Sequence, residues 1–413
     1  MLMRRIIKGV DLFCGGGGTS SGLVSAAREL DTPLDLLGVN HWDVALNTYA
    51  NNFPELRAPE QEDIYNLSPF KYFPDGYLDL LVASPECIYH SVARGYGPCN
   101  EQSRSGAKQI LEWLKRIHVE RVLIENVKEF VDWGPLDKNG HRIKALKGIE
   151  FQAFLRSLDT LGYVYEWRIL NCADYGDTTT RKRFFLMAKK GRDQIIKWPE
   201  PTHSEHQNDL FTDANPWNPT SSIIDWSVPG KSIFNRKVPL VDKTLARIEH
   251  GLRTYGGKDF LIKYFGTGKS ESIAKPVTTI LANGNHHALV QPFITIYKGQ
   301  SKTRSLDLPL PALTTQKNMY LSTPMVSTSL VEPLRRKLGI TSLDDPLAMV
   351  KFFRDTPGLD IMHRMLTPYE LAAAHSFPAD YKWSGTSTDI VKQVGNSVPH
   401  KTAKALCKAL LEG

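Results

Sequence analysis

An α/β fold with a mostly parallel sheet, helices on both of its faces and a smaller mixed second domain is what this sequence predicts. Three observations carry the prediction. Strand-like apolar runs alternate with helix-like stretches through residue 195, and a Pro-rich passage from 196 to 224 ends the alternation. The length of 413 residues suits two domains, or one domain interrupted by another.

The elements follow in order. Ile6–Phe13, Leu34–Val39, Leu78–Ala83 and Arg121–Glu125 are apolar runs bounded by turn residues and read as strands. Thr19–Leu30, Asp43–Asn52, Ala107–Ile117 and Ile149–Leu161 read as the helices between and after them. Such alternation implies parallel strands, and in parallel sheets ligands sit at the carboxyl ends of the strands. Lys197-Trp-Pro-Glu-Pro-Thr-His203 and Asn218-Pro-Thr220 mark a linker. Residues 225–345 hold short strand-like pieces, many Thr and Ser, and a loose internal echo. Tyr264-Phe-Gly-Thr-Gly-Lys…Lys275-Pro-Val-Thr-Thr279 resembles Tyr297-Lys-Gly-Gln-Ser-Lys…Leu310-Pro-Ala-Leu-Thr-Thr315. Two copies fall short of the ~3 repeats a solenoid needs, so the echo reads as two similar hairpins. Residues 346–413 turn helical again, at Pro368–His375 and His400–Leu411.

Composition narrows the class. The 41% hydrophobic and 23% charged content is that of a globular chain rather than a disordered or fibrous one. No apolar run reaches the ~18 residues of a membrane span, and the charged start lacks the core of a secretion signal. The 51 Lys and Arg exceed the 44 Asp and Glu, a charge of +7 that suits a polyanionic partner. Five scattered cysteines, Cys14, Cys87, Cys99, Cys172 and Cys407, form no C-x-x-C pair. They argue against a disulfide framework or zinc ribbon and for a reducing, cytoplasmic setting. Cys14 reads as packing beside the glycine loop, Cys172 and Cys407 as buried small hydrophobes, and His286-His287, without further ligands at metal spacing, as solvated turn residues or groups near the phosphates of a polyanionic partner. No metal is expected.

The residues fit for chemistry stand at strand ends. Val10-Asp-Leu-Phe-Cys-Gly-Gly-Gly-Gly-Thr19 puts four glycines between a strand and a helix, where the backbone can approach a ligand and helix N–H groups are free. It lacks the Gly-Lys-Ser/Thr ending of a phosphate-binding loop. Val39-Asn-His-Trp-Asp43 follows the second strand, where Trp42 is placed either to stack on a base or to fill the core. Asp63 is placed to accept a hydrogen bond from a base amine. Ala83-Ser-Pro-Glu-Cys-Ile-Tyr-His-Ser91 ends a strand with a thiol, Cys87, and the polar Gly-rich run to residue 106 is suited to close over a substrate. Glu125-Asn126 ends the next strand, so a thiol and a carboxyl group reach one pocket.

In this order the motifs resemble the cytosine-C5 DNA methyltransferases, in a divergent, phage-type branch. The matching pieces are Asp11-Leu-Phe-Cys-Gly-Gly-Gly-Gly18, the segment 85–87, Glu125-Asn-Val127, and Asp174-Tyr-Gly…Arg181-Lys-Arg183. Leu310-Pro-Ala-Leu-Thr-Thr315, Arg364-Met-Leu-Thr-Pro-Tyr-Glu-Leu…Phe377-Pro and Gln393-Val-Gly-Asn-Ser-Val398 complete the set. The resemblance implies a Rossmann-like S-adenosylmethionine methyltransferase domain over 1–195 and a target-recognition domain over 225–345, with 346–413 returning to the first. It implies that Cys87 adds to C6 of a flipped-out cytosine, that Glu125 holds N3 and the amine, and that Arg181 and Arg183 grip the base O2 and a phosphate. Phe13, Gly15, Gly16, Gly17, Gly18, His41, Trp42, Asp63, Ile64, Pro85, Asn396 and Ser397 would then line the cofactor site. Ser91, Arg94, Thr314 and Thr315 would face double-stranded DNA, bound by a monomer whose basic surplus lies largely in 225–345.

Four positions depart from the family's pattern. Glu86 and Ile88 flank the cysteine where Pro and Gln are usual, His41 replaces an acid, and Thr179 replaces a Gln. Divergence without a change of reaction is the simpler account. The alternative is a changed donor, carboxy-S-adenosylmethionine delivering a carboxymethyl group, although Glu86 would repel it. A tRNA-modifying relative and a DNA-binding homologue without catalysis are the other readings.

Overall fold

The computed structural model describes residues 5–85, 106–205, 214–255, 258–265, 270–296, 302–305, 347–355 and 359–412. Two compact units divide the chain: 1–218 with 276–284 and 371–413, and 219–275 with 285–370.

The first unit is built on a seven-stranded sheet. Its strands are β1 (Ile7–Leu12), β2 (Leu34–Asn40), β3 (Glu60–Gln61), β4 (Tyr77–Ala83), β5 (His118–Val127), β6 (Tyr163–Asn171) and β7 (Lys182–Lys190), in the spatial order β3-β2-β1-β4-β5-β7-β6. The first five run parallel, with Val10 opposite both Leu37 and Leu81, as the alternation predicts. The last two pairings are antiparallel, Glu125 of β5 facing Phe185 of β7 and Trp167 of β6 facing Leu186 of β7, so β7 alone runs against the rest. The sheet reverses order at β1, so β1 and its neighbours open a crevice at their carboxyl ends.

Helices cover both faces: α1 (Gly18–Glu29), α2 (Asp43–Asn52), α3 (Gly106–Arg116) and α4 (Ile149–Thr160). One core layer joins Val10, Leu81, Val122 and Leu186 to Trp113, Phe130 and Phe154. The other joins Leu36, Leu80, Leu123 and Met187 to Leu23, Leu406 and Leu410. Apolar residues thus alternate between the two layers along each strand, as strands buried on both faces require. The Pro-rich passage is not a free linker over its whole length. Ile196 and Trp198 are buried in the second layer, and a two-residue pair, β8 (His203–Ser204) with β9 (Asn215–Pro216), follows.

The second unit is an antiparallel sheet, β10 (Lys231–Ser232), β15 (Leu359–Met365), β13 (His287–Ile296), β11 (Phe260–Lys263) and β12 (Ser270–Ser272), with β14 (Lys302–Ser305) on β13. Helices α5 (Asp242–Tyr255) and α6 (Ala348–Asp355) belong to it, and Ile248, Leu252, Phe260, Val290, Val350 and Ile361 form its core. The first copy of the echo begins at Tyr264 directly after β11, which pairs antiparallel with β12; the second, 297–315, lies outside the described residues except for β14. This unit extends to residue 370 and excludes 276–284, so its limits differ from 225–345. His287 corrects the solvated-turn reading: it opens β13, is buried against Phe265, and burial pushes its imidazole down to about 3. Glu249 fixes α6 by accepting the Met349 and Val350 N–H groups at 3.0 and 2.8 Å, an acid at a helix start.

After α7 (Pro368–Ala374), two more helices lie in the C-terminal segment of the first unit: α8 (Ser387–Asn396) and α9 (His400–Glu412). Thr386 and Asp389 form a capping box on α8. Asp177 caps α9, accepting from the Thr402 N–H at 3.0 Å and its hydroxyl at 2.6 Å. None of the described helices is long and apolar enough to cross a membrane.

Candidate active site

The glycine loop is the floor of the site. After β1 the backbone turns through Phe13, Gly15 and Gly17 at φ of 64°, 53° and 91°, a region where glycine alone is free of Cβ strain. A Cβ on Gly16 would lie 2.6 Å from Gln393 Oε1, and one on Gly18 would lie 2.7 Å from Ser397 Cβ. The loop therefore fits directly against the end of α8. Tyr381 locks it from below, its hydroxyl donating to the Gly16 carbonyl at 2.6 Å.

Under the loop Asp11 is fully buried. One of its oxygens accepts from the Ser20 hydroxyl at 2.6 Å, and the other has no hydrogen-bond partner among the described residues. Burial pushes this carboxyl up to about 7. Burial, with Asp11 beside it, also holds the Cys14 thiol well above its ordinary value, so Cys14 is the inert thiol expected. Cys172 and Cys407 are likewise buried with raised thiols, the former to about 12.

A cleft of about 180 Å³ opens above the loop. Its walls come from strand ends and from α8: Asn40, His41 and Trp42 after β2, Ser84 and Pro85 after β4, Glu125 on β5, and Arg181 just before β7. Lys392, Gln393, Asn396 and Ser397 supply the α8 side. The Lys392 ammonium stands 4.1 Å from the centre of the Trp42 ring, a cation–π contact. Gln393 is buried and donates to the Ser384 carbonyl at 3.0 Å, while its Oε1 has no partner among the described residues.

Among the described residues, Glu125 is the only carboxylate in the walls. It is buried at the β5 end, 3.2 Å from Arg183 Nε, and burial raises its carboxyl despite the opposing pull of Arg183 and Arg181. Such a group keeps its proton more readily than an exposed glutamate and can donate it. Arg183 also donates to the Lys182 carbonyl at 2.9 Å.

Of the expected cofactor residues, Phe13, Gly15, Gly16, Gly18, His41, Trp42, Pro85, Asn396 and Ser397 line one cleft together with Glu125 and Arg181. Three do not line it. A Cβ on Gly17 would meet Phe53 and Tyr381, so that glycine serves packing. Exposed Asp63 spends its carboxylate on the Tyr65 N–H at 3.2 Å, and Ile64 joins the core with Val39 and Leu67. Cys87, Ser91, Arg94, Thr314 and Thr315, like Glu86 and Ile88, lie outside the described residues. Sequence reasoning missed Thr19, Asn40, Ser84, Lys392 and Gln393. Asn40 and Ser84 end or follow a strand, and Lys392 and Gln393 precede Asn396 by four and three residues, the spacing of one helix face. No cluster that could hold a metal occurs among the described residues.

A family profile described as C-5 cytosine-specific DNA methylase matches residues 7–412. The type II methyltransferase M.Sau3AI of Staphylococcus aureus is 28% identical over 222 residues, covering 51% of this chain and 50% of that protein. This chain thus aligns with only half the length of that relative. The type II methyltransferase M1.HphI of Haemophilus parahaemolyticus is 22% identical over 419 residues, 98% of this chain and 86% of that one. The crystal structure of a Spodoptera frugiperda DNMT2 mutant shares the fold, with a TM-score of 0.55 at 17% identity over 98% of this chain and 99% of that one.

Proposed function

Because the chain belongs to the C-5 cytosine-specific DNA methylase family, we propose that it methylates cytosine C5 in double-stranded DNA, with Cys87 as nucleophile. The observation that carries this reading is the pairing of a buried Glu125, whose carboxyl burial holds above its ordinary value, with the glycine-loop cleft in one pocket. The family uses S-adenosylmethionine, and the walls suit it. Trp42 offers an aromatic face for a purine, the unpartnered Gln393 Oε1 offers an acceptor, and Gly15 leaves open space where a side chain would stand. Asn396 and Ser397 would hold the far side. When bound, the cofactor supplies an electrophilic methyl group.

The chain's own residues do the rest. Cys87 lies two residues beyond Pro85, whose carbonyl is held by Asn126 Nδ2 at 3.2 Å. As thiolate it adds to C6 of a flipped cytosine, while Glu125 gives its proton to N3 and so neutralises the charge arriving on the ring. C5 becomes the carbon nucleophile. After transfer, N3 returns its proton to Glu125, C5 gives its proton to water, the C6–sulfur bond breaks, and Cys87 leaves as thiolate. Arg183 keeps the Glu125 carboxyl in place. The substantial second unit supports DNA over tRNA as substrate, because it gives the chain a separate body with which to read a duplex. Trapping on 5-fluorocytosine substrates tests this: a duplex oligonucleotide should form a covalent adduct, the matching tRNA stem should not, and Cys87→Ser should abolish it. An adduct with Cys87→Ser would sink the assignment.

A further inference from the structure

Arg181 is buried to 1% exposure, yet it belongs to the cleft wall. Its two terminal nitrogens are committed to backbone: Nη1 donates to the Ile280 carbonyl at 3.0 Å and Nη2 to the Gly395 carbonyl at 2.8 Å. Those two carbonyls belong to strands of chain that touch without side chains between them. A Cβ on Gly395 would lie 2.5 Å from the Ala282 Cα and nitrogen. Backbone bonds between Thr178, Thr180 and Val277, at 3.0 and 3.1 Å, fasten the same segment to the run that precedes β7. Gly395 is followed directly by Asn396 and Ser397, which face the cleft.

A second link reaches the same place. The Ser397 hydroxyl donates to the Val394 carbonyl at 2.8 Å, so it accepts from His375 Nδ1 at 3.0 Å. His375 is fully buried, and burial together with Arg181 and Arg183 keeps its imidazole neutral.

We infer that Arg181 is a positioning residue that sets the Asn396–Ser397 wall of the cofactor cleft by clamping Ile280 to Gly395. This rests on the cofactor reading above. The clamp uses one N–H of each terminal nitrogen.

The test is calorimetric binding of S-adenosylhomocysteine by the full chain without DNA, on wild type, Arg181→Met, Arg181→Lys, Gly395→Ala and the Arg181→Met/Gly395→Ala pair. Arg181→Met and Gly395→Ala should each weaken binding at least tenfold, Arg181→Lys less. The double variant should be no weaker than the weaker single one, because both break one junction. In single turnover at saturating S-adenosylmethionine, Arg181→Lys should recover most of the wild-type rate, a rise in KM without loss of kcat. Unchanged binding in Arg181→Met with trapping lost would return Arg181 to the base, and independent, additive losses would also overturn the inference. A wild-type chain that binds no S-adenosylhomocysteine would instead remove the cofactor reading itself.

Discussion

Replacing Glu125 with Gln separates chemistry from stability, and the structure sets the size of each effect. The carboxyl and Arg183 Nε are 3.2 Å apart, with side chains 8% and 11% exposed. At an effective dielectric of ~20, the gross attraction at that distance is about 5 kcal/mol. The raised carboxyl shows that burial outweighs this attraction, so the ionised pair is not a net source of stability. Glu125→Gln, of equal shape, should therefore change unfolding free energy by about 1 kcal/mol or less, whereas Glu125→Ala leaves a buried guanidinium alone and costs about 3–5 kcal/mol. Activity should respond differently. Loss of the proton donor should slow single-turnover methylation about 10²–10⁴-fold. The pH profile carries a sign as well: wild-type activity should fall as pH rises through the raised Glu125 value, and the Gln variant should lose that limb. Rapid-quench kinetics with urea melts on the same preparations would measure both. A Glu125→Gln enzyme that traps 5-fluorocytosine at the wild-type rate, or one that unfolds like Glu125→Ala, would refute the reasoning.

Asp11→Asn should flatten the pH dependence of stability. With a folded value of about 7 against an ordinary 3.8, Asp11 lends stability that is complete below the unfolded value and is lost as pH rises through 7. Wild type should lose about 3 kcal/mol from this group between pH 5 and pH 8, read from urea melts, and the Asn variant should not. The glycines should divide by mechanism. Gly18→Ala forces a Cβ to within 2.9 Å of the Val398 carbonyl and should cost about 1–3 kcal/mol along with cofactor affinity. Gly15→Ala meets open space and only the strain of its positive φ, about 1–2 kcal/mol. Gly18→Ala no more destabilised than Gly15→Ala in urea melts would contradict this division.

Four of the five parallel strands, β1, β2, β4 and β5, and the helices were legible because each is an apolar run separated from the next by a helix, whereas β3, Glu60–Gln61, carries no apolar residue and was not. The β6–β7 pair was not, since antiparallel neighbours need no helix between them and the alternation ends at α4. β6 is also an edge strand, with Glu166, Trp167, Arg168 and Ile169 exposed, so its pattern is blurred. The α8 helix hid for another reason. Ile390, Val391, Val394 and Gly395 are poor helix formers, and the helix stands by its capping box and its packing. Read as a motif alone, Gln393–Val398 gave Asn396 and Ser397. Read as a helix face, it would also have given Lys392 and Gln393.

The departures from the family pattern bear on which group is transferred. Thr179 is fully buried, bridges Val277 through its backbone and is not in the cleft wall, so it says nothing about the donor. His41 does line the cleft, but at the end of β2, whereas Glu125 stands on β5. In the order β2-β1-β4-β5 that is three strand spacings, about 14 Å at ~4.8 Å each. A side chain so far from Glu125 cannot neutralise a carboxylate placed beside the reacting carbon. Lys392 is spent on Trp42, on the same side as His41. Among the described residues, the positive charges near Glu125 are Arg183, already paired to that glutamate, and Arg181, whose terminal nitrogens bind backbone carbonyls, so neither is free to serve a carboxymethyl group. Nucleoside digests of DNA modified with both donors present should contain 5-methylcytosine alone, read by mass. A product heavier by one carboxyl group would show that this pocket neutralises the donor by residues other than His41 and Lys392.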